Sequence, residues 1–124
     1  MTHDDALAIS RVAHDVHRVN VGNGWWQDRK AIAAAHPHGK HQVILAALAL
    51  VVSEIAEAME AVRKHDPTTW ADTKTPDTFA RELAGATIRI MDLAAANCVD
   101  LGEAIRAELE ANKDRGHRHG GKAA

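Results

Sequence analysis

Aromatic residues are nearly missing from this 124-residue chain, which has three tryptophans, one phenylalanine and no tyrosine. Its core must therefore be built from Ala, Leu, Ile and Val, and alanine, the strongest helix former, lets helices approach closely. There are only three prolines, and alternating runs of β-branched residues are scarce, which excludes a sheet-dominated fold. A single cysteine, Cys98, excludes an intrachain disulfide and fits a reducing, cytoplasmic setting. Excess charge of one sign is also lacking, since the net charge is −2 at pH 7 and the sequence pI is near 6.5. Proteins that grip duplex nucleic acid show a basic face, so no duplex nucleic acid partner is expected. No N-terminal signal pattern is visible. The longest apolar run, residues 43–52, is about half a membrane span, so no membrane partner is expected either.

The patterning present predicts one all-α domain over residues 1–124, a bundle-like fold of four to five helices. The first helix is predicted over residues 4–21, with Leu7, Val12, Val16 and Val19 as its apolar stripe, and Gly22-Asn23-Gly24 stops it. A short helix is expected over residues 28–35 and a long one over residues 40–64, whose second half turns Ile55, Met59 and Val62 to the core. Asp66-Pro67 ends the long helix, and residues 68–76 read as a surface loop. Thr75-Pro76-Asp77 offers start signals for a helix reaching residue 96, with Phe79, Leu83, Ala86, Ile90 and Leu93 on its core face. The last helix, residues 100–113, carries Leu101, Ile105 and Leu109. Residues 114–124 are expected to form a flexible basic tail. Residues 43–52 are apolar on every side of their helix, and the few other helices cannot cover all of them. A homodimer or homotetramer is expected to complete the burial.

The chemistry-bearing residues are acidic. Glu54 and Glu57 are three apart and neighbour each other one helical turn apart, and Glu82 lies early on the next helix, where antiparallel packing brings it opposite the pair. Two like charges about 5 Å apart repel by roughly 3 kcal/mol at an effective dielectric near 20. Converging carboxylates therefore need a proton or a cation, and Mg²⁺ (or Mn²⁺) with oxygen ligands is the natural occupant. Asp92 falls on a similar side of its helix as Glu82, either as a further metal ligand or in a salt bridge to Arg89 or another helix. Trp25 and Trp26 either stack a base or anchor a loop. His36, His38 and His41 flank a Pro-Gly turn without a ligand spacing and read as a polar loop.

These residues resemble a known family. Ser53-Glu54-Ile55-Ala56-Glu57-Ala58-Met59-Glu60 resembles the Glu-x-x-Glu metal motif of the MazG-like all-α nucleoside triphosphate pyrophosphohydrolases. Glu82-Leu83-Ala84-Gly85, followed by Ile88-Arg89-Ile90-Met91-Asp92-Leu93, is similar to the second, Glu-x-x-Asp segment. Asn112-Lys113-Asp114-Arg115 and His119-Gly120-Gly121-Lys122 resemble the substrate-side ending, and Gly24-Trp25-Trp26 a segment before the metal helix. The resemblance covers about residues 5–122 in order. It implies Mg²⁺-dependent cleavage of a nucleoside triphosphate between its α and β phosphates, giving monophosphate and pyrophosphate. It also implies metal ligation by Glu54, Glu57, Glu82 and Asp92, a water oriented by Glu57, and substrate binding by Trp25, Trp26, Asn112, Lys113, Arg115 and Lys122.

The chain departs from the family at Gly85, where the pattern has aspartate. That departure implies weaker Mg²⁺ binding, replacement by Glu60 or Asp92, or a chain that does not turn over. Two other functions compete. His14-Asp15 on an α protein points to an HD-type metal phosphohydrolase, which needs further histidines on other helices. A non-catalytic nucleotide-binding or scaffold protein with a degenerate metal site accommodates Gly85 directly.

Overall fold

Thr2 opens the first helix with a reciprocal cap. Its hydroxyl accepts from the Asp5 backbone N–H at 3.1 Å, and the Asp5 carboxylate accepts from the Thr2 N–H at 2.8 Å, so two donors at the helix start are satisfied. The computed structural model describes residues 1–115. Five helices follow one another, α1 (His3–Gly22), α2 (Gln27–Ala35), α3 (Gly39–Lys64), α4 (Phe79–Ala96) and α5 (Leu101–Asp114), with a 3-10 turn at Pro67–Thr69 and no strand among the described residues. The all-α class and most of the predicted boundaries hold. Lys122 and nearly all of the expected tail lie outside the described residues.

The start of α4 differs from the sequence expectation. Its cap is Thr78, whose hydroxyl accepts from Arg81 N–H at 3.2 Å and donates to the Asp72 carbonyl at 2.6 Å. Thr75-Pro76-Asp77 fails to start a helix because Asp77 has φ +65°, a left-handed conformation that turns the chain off a helical path.

α1 and α4 run antiparallel, since Ser10 meets Asp100 while His17 meets Asp92. α3 packs on α4 and α2, and α5 packs on α1. Gly102 lets α5 touch α1: a methyl group there would collide with the Ala6 carbonyl. From that contact α5 runs on past the N-terminus of α1, where Asn112 and Lys113 line a shallow hollow with Met1.

Small residues make the interior. The buried apolar set is Ala6, Ala13, Ala47, Ala58, Ala61, Ala86 and Ala94 with Trp26 and Val51. The predicted stripes are displaced accordingly: Leu7, Val12 and Val19 of α1, Ile55, Met59 and Val62 of α3, Leu83 and Ile90 of α4 and Leu109 of α5 are exposed. Alanine contacts draw the helix axes together, and larger side chains are left on the flanks of each contact. The largest such surface lies on α3. Leu45, Leu48, Val52, Ile55, Met59 and Val62 are all exposed, Leu45 and Val52 at 66%, and they recur at alternating intervals of three and four residues, the spacing of a coiled-coil seam. The most apolar 18 residues of α3 have a mean hydropathy of 1.8, so by length and composition this helix is apolar enough to cross a membrane. Its uncharged stretch, however, runs only from His41 to Ser53, about 20 Å against a hydrocarbon thickness of about 30 Å.

Candidate metal centre

Three carboxylates converge between α3 and α4. Each of Glu54, Glu57 and Glu82 places an oxygen within 4.8 Å of the other two. Glu54 and Glu57 are a turn apart near the middle of α3. Glu82 sits in the first turn of α4, a turn fixed by the Thr78 cap and by the loop before it. In that loop Asp72 accepts from the N–H groups of Lys74 and Thr75 at 2.8 and 3.2 Å, and Arg81 donates to the Thr73 carbonyl at 3.3 Å. Glu82 is 8% exposed. Burial, hydrogen bonds with Glu57 and Glu54, and the charges of both push its carboxyl up from 4.5 to about 7. Without a cation the trio thus shares a proton on Glu82 near neutral pH.

Glycine at position 85 leaves the space that Glu54 fills. A Cβ built on Gly85 would lie 2.7 Å from Glu54 Oε2, so the Glu54 carboxylate lies directly over the α4 backbone one turn beyond Glu82. The other Glu54 oxygen, Oε1, accepts from Arg89 Nε at 3.0 Å. Arg89 is seven residues after Glu82 and returns to the same helix face. The Arg89 guanidinium in turn lies 5.5 Å from the Trp25 ring. An all-oxygen donor set of three carboxylates this close fits a hard divalent ion that keeps part of its water shell. The fit is better for Mg²⁺ or Mn²⁺ than for a metal that prefers nitrogen or sulfur.

Beside the trio a hollow of about 300 Å³ opens, lined by Glu57, Glu60, Lys64, His65, Asp77 and Glu82. Lys64 pairs with Glu60 at 3.4 Å. The basic side chains that line this hollow or touch the trio are Lys64, His65 and Arg89; of these the sequence names only Arg89, and as a partner of Asp92. The signal for Arg89 was available in its seven-residue spacing from Glu82. Lys64 and His65 gave none, because they read simply as the basic end of a helix.

Asp92 does not join the trio. Ten residues separate it from Glu82, about 15 Å along the helix and rotated toward α1. At 3% exposure it accepts from Trp26 Nε1 at 2.9 and 3.1 Å and binds His17 Nδ1 at 2.7 Å, with Arg29 at 3.8 Å. It is a salt-bridge residue, and its partners are on α1 and the start of α2 rather than Arg89. Trp26 is accordingly a buried anchor, whereas Trp25 is exposed.

Asn112, Lys113 and Arg115 are not brought to the trio within one chain. α5 leaves its contact at Ala6 in the direction of Met1, away from Glu82. Lys113 is 3.5 Å from Glu110, and Arg115 donates to Asn112 Oδ1 at 3.1 Å and pairs with Glu108 at 3.6 Å. His14 and Asp15 are exposed on α1, and among the described residues the one group of side chains placed to hold a metal is the glutamate trio. Comparison with family models, with curated proteins and with solved structures returns no match to this chain.

Proposed function

We propose that this chain is a Mg²⁺-dependent nucleoside triphosphate pyrophosphohydrolase of the MazG-like kind, cleaving between the α and β phosphates. The observation that carries the reading is the convergence of Glu54, Glu57 and Glu82 from two helices beside an open hollow with Lys64 and His65 on its wall. A divalent ion bound there, with Mn²⁺ as a substitute for Mg²⁺, neutralises charge on the phosphates. Glu57, the most exposed of the three, orients the attacking water and takes its proton. Arg89 is a positioning residue that holds Glu54 by one oxygen and leaves the other toward Glu82. Lys64 and His65 steady the phosphates, where the resemblance implies Lys113, Arg115 and Lys122 as substrate-binding residues. The exposed free thiol of Cys98 accords with a reducing compartment such as the cytoplasm.

The test is pyrophosphate release from a panel of canonical and modified nucleoside triphosphates, with and without Mg²⁺. Mg²⁺-dependent release from at least one triphosphate is expected. Gly85 and the Arg89 hold on Glu54 favour a second reading, a nucleotide-binding protein without turnover. Ligand-induced stabilisation with no product from any member of the panel would establish that reading instead.

The same proposal includes a homodimer joined along the α3 seam. The alanine-rich interior supports it, because the seam side chains Leu45, Leu48, Val52, Ile55, Met59 and Val62 stay exposed in one chain. Sedimentation at micromolar concentration is expected to give a dimer, and Val52→Glu to shift it toward monomer. A strictly monomeric wild type would overturn the dimer.

A further inference from the structure

Toward the other end of α3, a second hollow of about 240 Å³, open to solvent, is lined by residues of all of the first four helices. Four basic side chains line it: His17, Arg29, Lys30 and Lys40. Lys40 is fourteen residues from Glu54, about 21 Å along α3, so this hollow is separate from the acidic trio. We propose that it binds a small organic phosphate, with the phosphate held by Arg29, Lys30 and Lys40 and the organic part resting on Val43 and Ile44.

Charge is the first support. Among the described residues neither Lys30 nor Lys40 takes part in an ion pair. The one carboxylate beneath the hollow, Asp92, already accepts from Trp26 and meets His17. Arg29 stays 3.8 Å from Asp92 and lies 4.6 Å from the Trp26 ring centroid. Its guanidinium is thus fixed in orientation with donors to spare, the arrangement suited to a phosphate fork. His17 is held through Nδ1, which leaves Nε2 for a further partner.

The helix ends are the second support. α3 begins at Gly39 with no side-chain cap; the Gly39 and Gln42 N–H groups donate to the His36 and His38 carbonyls, and the N–H groups of Lys40 and His41, with the helix dipole, favour an anion beside Lys40. The opposing end of α4, whose carbonyls would repel one, is covered by Asn97. Its Nδ2 donates to the Leu93 carbonyl at 2.8 Å, and its backbone N–H to Leu93 and Ala94. Ala33, Val43, Ile44 and Ala96 complete the wall with apolar surface, which inorganic phosphate leaves unused and an organic group covers. None of this depends on the reaction proposed for the trio.

The experiment is a calorimetric titration of the full chain, at one ionic strength, with phenyl phosphate, inorganic phosphate and benzoate. Phenyl phosphate is expected to bind at least tenfold more tightly than either of the others. Lys30→Ala/Lys40→Ala is expected to weaken it tenfold or more, while Lys113→Ala, which removes an exposed charge elsewhere, leaves it unchanged. Both hollow lysines are exposed, and melting temperatures verify folding; Lys40→Gln alone serves if the double variant misfolds. Pyrophosphate release, where present, is expected to be the same in Lys30→Ala/Lys40→Ala and in Lys40→Gln. Absence of phenyl phosphate binding at 10 mM, equal affinity for inorganic phosphate, or equal loss in Lys113→Ala would each overturn the proposal.

Discussion

Replacing Glu82 with glutamine is expected to abolish Mg²⁺-dependent pyrophosphate release, by about a thousandfold, and with it the rise in melting temperature expected on adding Mg²⁺. Glutamine keeps the size and the hydrogen bonding of Glu82 but removes the negative charge that a hard cation requires. A ligand that binds only the folded state stabilises by mass action, so the melting shift reads metal binding separately from turnover. The same variant alters the response to pH. Between 4.5, the ordinary carboxyl value, and about 7, its value in the folded chain, the folded state holds a proton that the unfolded chain has released. The stability linked to Glu82 is therefore present in full below pH 4.5 and lost as pH rises through 7. Metal-free wild type is expected to lose on the order of 2 kcal/mol across that window. Glu82→Gln should stay flat there and exceed wild type at pH 8. Urea titrations at pH 5 and pH 8, with and without Mg²⁺, measure both effects. A glutamine variant that still gains stability from Mg²⁺ would remove the trio from consideration as the metal centre.

The second large effect belongs to Asp92→Ala, and it concerns folding rather than chemistry. The carboxylate joins three elements through Trp26 Nε1, His17 Nδ1 and Arg29. Truncation leaves the indole N–H buried without an acceptor and opens space under Trp26, the largest side chain of the interior. Removing one member of a buried charge network costs about 3–5 kcal/mol, which lowers the melting temperature of a domain this size by about 10–20 °C. Asp92→Asn keeps an acceptor for the indole and is expected to lose about half as much. Tryptophan fluorescence should shift to the red in the alanine variant as Trp26 gains water. A loss under 1 kcal/mol, measured at matched protein concentration, would mean that Trp26 is held by packing alone.

The sequence by itself determined the helices. Ala-rich composition, the Gly22-Asn23-Gly24 break and the Asp66-Pro67 stop act within a few residues, so the ends of α1, α3 and α5 were legible to within a residue or two. It also determined the acidic trio as a candidate, because a three-residue spacing on one helix and an antiparallel neighbour are local inferences. Which side of each helix is inside was decided only by tertiary structure. Periodicity weighs Leu, Ile and Val most heavily, yet close approach selects the alanines, and the large residues of α3 face outward as a seam. The partners of Asp92 likewise come from α1 and the start of α2, seventy-five and sixty-six residues away, a separation no periodicity reaches. Gly85 shows the same division. As a sequence position it marked a missing carboxylate, whereas in the fold it is the gap that the Glu54 carboxylate occupies, because two helices in contact share one volume and a side chain given up by one is space for the other.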